Sequence, residues 1–314
     1  MRALVVTNMY PTPARPAFGS FVADQVEALR RLPGIDLDVH VLPGGSALRY
    51  ARGAWELGRR LGHARFDVVH AHFGLSAGPA LRVPAQVHGV TLHGTDITHP
   101  RSRALTLATL RRMDLVAAVS ADLATQVPAW STRRPVRVLP CGVALDRFQP
   151  IDRAPARTRL GLDPGEPCLL FPADPRRPEK RHDLAAALAA RAGGAGVRLL
   201  ALGSVAPDQV PFYVNAANAV LVPSDREGFG LAVLEALACN VPVLATPHGA
   251  APEALDGVAG TLCAPFSLEA WAAALEPLVA AEDPRVEGRA VAERYGTDAM
   301  ARRVADAWEE LLGG

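Results

Sequence analysis

The sequence predicts an α/β protein built from two doubly wound, parallel-sheet domains. Short apolar runs alternate with amphipathic helical patterns along nearly the whole chain, the order that a parallel sheet with crossover helices requires. Runs such as Ala3-Leu4-Val5-Val6 and Asp67-Val68-Val69 are continuous rather than alternating, as expected for strands covered on both faces. A length of 314 residues, at roughly 100–200 residues per domain, favours two domains over one.

In order, strands are expected near residues 2–7, 37–42, 67–71, 87–92, 114–119 and 136–140, with helices near 19–32, 47–62, 101–112 and 120–127. Residues 149–167 are rich in Pro, Arg and Asp and read as a linker with a short helix. Alternation resumes with strands near 168–172, 197–202, 219–222, 242–245 and 259–262. Residues 267–281 and 297–312 read as closing helices, with Trp271 and Trp308 as core anchors. The expected domains are therefore 1–148 and 149–296, with a terminal helix 297–314 that could cross back to the first.

Hydrophobic residues make up 49% of the chain, which excludes disorder. No apolar run approaches the roughly 18 residues of a membrane span, and the opening residues read as a strand rather than a signal peptide. Cys141, Cys168, Cys239 and Cys263 show no paired spacing, which argues against zinc or disulfides and suits a reducing cytoplasm. Residues 1–150 hold 18 arginines against 10 carboxylates, so that half is basic and the rest acidic. An arginine-rich face could meet phosphates, or could simply be soluble surface. The 47–62 helix sets Leu48, Tyr50, Trp55, Leu57 and Leu61 beside Arg49, Arg52, Arg59 and Arg60. That suits either packing with a basic outer face or peripheral contact with anionic lipid.

The chemistry concentrates where strands end, because ligands of such sheets bind beyond the carboxyl ends of the strands. After a strand ending at Pro223-Ser224 comes Glu227-Gly228-Phe229-Gly230-Leu231, then a helix expected from about Gly228 to Ala238. Two glycines permit close backbone approach, and a helix start offers N–H groups to a phosphate. Glu227 and Glu235 would lie two turns apart, ~12 Å, and could grip different parts of one elongated, hydroxyl-bearing ligand. The sole lysine, Lys180, follows the first strand of the second domain. No Gly-x-Gly-x-x-Gly follows a strand, which weakens a nicotinamide-binding reading. Asp36-Leu-Asp38 opens a strand and reads as a decoy for a metal motif. His70 and His72 lack an acidic or thiol partner and make a poor metal pair; His72 reads as cleft lining and His70 as packing.

Taken together these segments resemble glycosyltransferase family 4. The stretch from Glu227 to Glu235 resembles its Glu-x7-Glu signature. Phe66-Asp67-Val68-Val69-His70-Ala71-His72, Thr91-Leu92-His93-Gly94-Thr95-Asp96, Val119-Ser120, Val138-Leu139-Pro140-Cys141-Gly142-Val143 and the stretch from Phe171 to Lys180 resemble its other motifs, in the same order. The resemblance implies a GT-B fold of two Rossmann-like domains facing a cleft. It also implies a nucleotide-sugar donor, retention at the anomeric carbon, and no metal or other cofactor. It places Lys180, with Arg176 or Arg177, at the donor diphosphate. Gly19, which opens the first helix, and the turn Gly228, Phe229, Gly230, Leu231 belong to the same donor site. Glu227 falls on the sugar hydroxyls, Glu235 on the ribose and His93 at the reacting centre. His72 and Asp96 are on the acceptor side. Arg176 and Arg177 remain alternatives because Pro175 stands at the family's usual arginine position. The expected activity is transfer of a sugar to a glycan or lipid-linked hydroxyl acceptor in envelope polysaccharide synthesis, in the cytoplasm or at the membrane's inner face, without nucleic acid. About eight residues between Leu202-Gly203 and Pro211 replace a longer base-binding segment. That motivates two rivals: a silent sugar-nucleotide-binding partner protein, and a sugar-nucleotide epimerase.

Overall fold

The computed structural model describes residues 1–44, 47–193, 196–203 and 205–314. The chain divides into two compact units: Met1–Gly142 with Thr297–Gly314, and Val143–Gly296.

The first unit runs β1 (Arg2–Thr7), α1 (Ser20–Arg30), β2 (Asp36–Val41), α2 (Ala47–Leu61), β3 (Phe66–His72), α3 (Gly74–Ala80), β4 (Ala85–Leu92), α4 (Thr95–Thr98), α5 (Pro100–Leu110), β5 (Leu115–Ala118), α6 (Ala121–Thr125) and β6 (Arg137–Val138). These strands form one parallel sheet ordered β2-β1-β3-β4-β5-β6. The order reverses between β1 and β3, which puts a topological switch point at the carboxyl ends of those strands. No helix was expected between β3 and β4; α3 carries Gly74, Gly78 and Pro79, residue types that punctuate helices. It forms because small residues let it pack closely: a Cβ on Gly74 would stand 2.3 Å from the Thr106 side chain on α5.

The second unit runs α7 (Arg153–Arg159), β7 (Cys168–Phe171), α8 (His182–Gly193), β8 (Arg198–Ala201), α9 (Val210–Ala216), β9 (Ala219–Val222), α10 (Leu231–Ala238), β10 (Val243–Ala245), α11 (Ala251–Ala254), β11 (Leu262–Cys263), α12 (Leu268–Ala280) and α13 (Arg289–Glu293). Its sheet is ordered β11-β10-β9-β7-β8, so a second switch point lies between β7 and β9. The stretch read as a linker contains α7, whose Arg153 and Arg157 are buried. They donate to the carbonyls of Ala217, Ala216 and Pro164 and to Asn218 Oδ1. Between β8 and α9 the described residues hold no further strand; Ser204 lies outside them.

The last helix, α14 (Thr297–Gly313), packs in the first unit's core, where Met300, Val304 and Trp308 join Val5, Val26 and Val68. Trp271 anchors the other core with Phe171 and Leu275. Among the described residues no helix is long and apolar enough to cross a membrane.

Candidate functional site

In the second unit the loops after β7 and β9 meet at the switch point. A tight turn over Pro178–Lys180 ends at Arg181, whose φ of 58° is left-handed. The turn places Lys180 Nζ 2.6 Å from both carboxylate oxygens of Glu227. Ser224 Oγ donates to Glu227 Oε1 at 2.7 Å. The two loops are tied by Asp225 N–H donating to the Glu179 carbonyl, and by Arg181 bonding Asp225. Lys180 and Glu227 side chains are only 15% and 10% exposed, so the pair is held rather than solvated.

The turn that follows departs from expectation. The helix α10 starts at Leu231, not Gly228, because Gly230 adopts φ 85° and interrupts the helical path. Glu235 is therefore about 6 Å along the axis from the helix start, at 1.5 Å per residue, rather than two helical turns beyond Glu227. Phe229 is buried with its ring 6.1 Å from Tyr295, and its carbonyl accepts from Ala250 N–H at 2.7 Å. Gly249 makes this approach possible. With φ 62°, any Cβ there would lie 2.3 Å from the Phe229 carbonyl oxygen. Arg176 and Arg177 are committed within their own turn, to Asp174 and Glu179. Arg176 is 85% exposed; Lys180 N–H donates to the Arg177 carbonyl at 3.0 Å, but among the described residues neither arginine side chain is bonded to Lys180 or Glu227.

In the first unit the histidines form a connected cluster at the ends of β3 and β4, which adjoin in the sheet. His72 Nδ1 lies 3.0 Å from His93 Nε2, and Gln25 Nε2 lies 3.2 Å from His72 Nε2. His70 accepts from Trp308 Nε1 at 3.0 Å and reaches Thr91 Oγ1 at 2.8 Å. His72 is fully buried, so it backs His93 instead of lining an open surface. Burial pushes His72 down to about 4. Burial first, and then the neighbouring rings, hold His70 and His93 well below the usual imidazole value. Asp96 is buried, and its carboxylate accepts from the backbone N–H groups of His93, Gly94 and Gly74. It thereby fixes the loop that carries His93. Burial raises its pKa against those three donors. Gly19 opens α1 with φ 75°, and a Cβ there would stand 2.3 Å from the Met9 carbonyl carbon. The loop after β1 can return to α1 only with glycine at this position.

Sequence reading missed Ser224, Phe21 and Gln25. Phe21 and Gln25 sit four residues apart on one face of α1, against His93 and His72. A signal for Gln25 was present: it interrupts the apolar stripe Val22, Val26, Leu29 that α1 buries. Among the described residues no group of three His, Cys, Asp or Glu side chains stands ready for a metal ion.

Comparison with known proteins decides the family. Residues 4–147 match the model of Glycosyltransferase Family 4, and residues 175–281 that of Glycosyl transferases group 1. A D-inositol 3-phosphate glycosyltransferase of Segniliparus rotundus is 32% identical over 304 residues, covering 80% of this chain and 67% of that protein. One of Actinosynnema mirum is also 32% identical, over 321 residues, 84% of this chain and 76% of that protein. The chain belongs to glycosyltransferase family 4. Solved structures agree on its fold. Sucrose-phosphate synthase from Thermosynechococcus elongatus superposes with a TM-score of 0.74 at 19% identity over 100% of both chains. Anabaena HepE, in complex with UDP and glucose, gives 0.74 at 14% identity over 98% and 99%. This family 4 glycosyltransferase has the GT-B fold class, two parallel-sheet Rossmann-like domains. Its ion pair and its histidine cluster each lie at the strand ends of one domain.

Proposed function

We propose that the protein transfers a sugar, with retention at the anomeric carbon, from a nucleoside-diphosphate sugar to a hydroxyl acceptor of the cell envelope. The observation that carries this reading is the Lys180–Glu227 pair at the switch point of the second domain. A leaving diphosphate gains negative charge as its bond to the anomeric carbon breaks, so a fixed ammonium there lowers the barrier. The ammonium has three N–H groups. Among the described residues only Glu227 engages it, which leaves a donor for a phosphate oxygen. Glu227 takes sugar hydroxyls and Glu235 the ribose. The acceptor oxygen bonds to the face the phosphate leaves, and its proton passes to the departing phosphate oxygen. Positive charge from Lys180 and main-chain donors stands where a divalent ion would otherwise be needed, so turnover survives EDTA.

The acceptor is proposed to be anionic, since the first 150 residues carry 18 arginines against 10 carboxylates. The relatives' names supply D-inositol 3-phosphate as its first probe; a lipid-linked glycan is the second. The test follows release of nucleoside diphosphate from a donor panel that starts with UDP-glucose, and NMR of the product's anomeric centre. Acceptor-dependent release with retained configuration supports the reading. Binding without release, or epimerised donor without acceptor, overturns it in favour of a silent binding protein or an epimerase.

The helix α2 adds a place for that acceptor to be met. Leu48, Arg52, Trp55 and Arg59 follow one another on its outward face, with Leu48 80% and Trp55 56% exposed and Arg59 stacked 4.9 Å over the Trp55 ring. This stripe is proposed to rest on anionic lipid headgroups. Vesicles containing phosphatidylglycerol should co-sediment wild-type protein several-fold better than Leu48→Asp/Trp55→Asp. Equal binding of the two would refute the contact.

A further inference from the structure

The histidine cluster contains a chain of hydrogen bonds whose direction is set at one end. We propose that Gln25 is a positioning residue that selects, through His72, the tautomer of His93, so that His93 presents Nδ1–H as a hydrogen-bond donor. This rests on the reading of His93 as a residue of the reacting centre.

An amide nitrogen donates and never accepts. Gln25 Nε2 faces His72 Nε2 at 3.2 Å, so that ring nitrogen is the acceptor. A neutral imidazole carries one N–H, so the proton of His72 sits on Nδ1. Nδ1 lies 3.0 Å from His93 Nε2, which must then accept in its turn. His93 is left with its proton on Nδ1. Turning the Gln25 amide over reverses every step: its oxygen would accept from His72 Nε2–H, His93 would donate through Nε2, and Nδ1 would become a bare lone pair. One amide orientation thus separates a hydrogen-bond donor from a general base.

Both rings are kept neutral by their surroundings. His72 is fully buried and Gln25 is 7% exposed. The groups around them, Thr91, Trp308 and the Phe21 ring, carry no charge, and the Asp96 carboxylate is taken up by backbone N–H groups. His70 is fixed separately. Trp308 Nε1–H can only donate, so His70 accepts on Nδ1 and donates from Nε2 to Thr91 Oγ1. The rings of His70, His72 and His93 pack at centroid spacings of 5.3 and 5.2 Å, and Phe21 closes on His93 at 5.1 Å. The imidazole of His93 therefore has a fixed plane as well as a fixed proton. A fixed Nδ1–H matches an oxygen acceptor, a phosphate or sugar oxygen, and does not match proton abstraction.

Nitrogen-15 spectra of protein labelled at histidine test this without any assay. In the wild type, His72 and His93 should both show a protonated-type Nδ1 and an unprotonated-type Nε2. In Gln25→Met, which keeps the bulk and removes the donor, the shifts of both rings should move together toward averaged tautomers. Turnover should fall about tenfold while KM for the donor stays within twofold. A wild-type His93 protonated on Nε2 overturns the proposal, and this spectrum needs no variant to fold. Gln25→Met spectra in which His93 does not move also overturn it. The functional reading fails separately: His93→Ala at wild-type turnover, with the tautomers as stated, removes His93 from the reaction and leaves the relay standing.

Discussion

Lys180→Ala should lower kcat/KM by roughly 10²–10³-fold, the scale of removing one preorganised charge or donor from a transition state. The chain has no other lysine, and Arg176 and Arg177 are held by Asp174 and Glu179. Arg181, next in sequence to Lys180, is held by Asp183 and Asp225. The same change has a structural cost, because Glu227, 10% exposed, keeps only Ser224 as a side-chain partner among the described residues. Breaking a buried pair from one side costs up to ~3–5 kcal/mol; partial exposure puts this pair toward the low end. The two effects separate in the double variant Lys180→Ala/Glu227→Gln. Neutralising the stranded carboxylate should recover most of the lost melting temperature and none of the turnover. Lys180→Arg should also fall short: the planar fork pairs readily with both Glu227 oxygens, but it spreads its charge and is bulkier, and does not reproduce the compact ammonium whose third N–H remains for a phosphate oxygen. Steady-state kinetics beside thermal melts decide the matter: Lys180→Ala turning over within a few-fold of wild type, with donor verified, would end the assignment.

That lysine and Glu227 were legible as separate residues before any geometry was known. Each follows a continuous apolar strand, and parallel sheets bind ligands at that end. Their direct contact was not legible. It depends on β7 and β9 being neighbours although β8 lies between them in sequence, a fact of strand order rather than of local pattern. The glycine at 230 was read as permitting close approach of a ligand; what the fold gives it is a left-handed φ of 85°, which moved the helix start three residues on and changed the spacing to Glu235. A short helix was expected within 149–167 and α7 lies there; what periodicity hid is the burial of its Arg153 and Arg157, since it treats an arginine as solvent-facing, whereas these two satisfy backbone carbonyls. Gln25 and His72, 47 residues apart, find each other only through the fold.

The histidine cluster should make this protein acid-labile well above the pH at which its carboxylates titrate. His72 is pushed down to about 4 by burial, and His70 and His93 are also lowered well below the ordinary 6.5. Between those values and 6.5 the unfolded chain binds protons that the folded chain refuses. Stability therefore rises with pH through this window and is lost as pH falls. Each imidazole kept neutral contributes about 1.4 kcal/mol per pH unit; for three the slope approaches ~4. Against a typical stability of about 5–15 kcal/mol, one to two units below pH 6.5 is a large fraction. His40, lowered by burial and by Arg60, adds in the same direction. Asp96 works against it, because its raised carboxyl takes a proton in the folded state before the unfolded one. Its share enters lower, toward the ordinary carboxylate range. Asp174, held down to about 2 by Arg176, loses its contribution only as pH falls from the ordinary carboxylate value toward 2. Urea unfolding at pH 7.5, 6.5, 5.5 and 5.0 separates these windows, and the slope counts the protons taken up on unfolding. A stability that stays level from pH 7.5 to 5.0 would mean that the rings accept protons in the folded state. The neutral chain from Gln25 to His93 could not then exist as drawn.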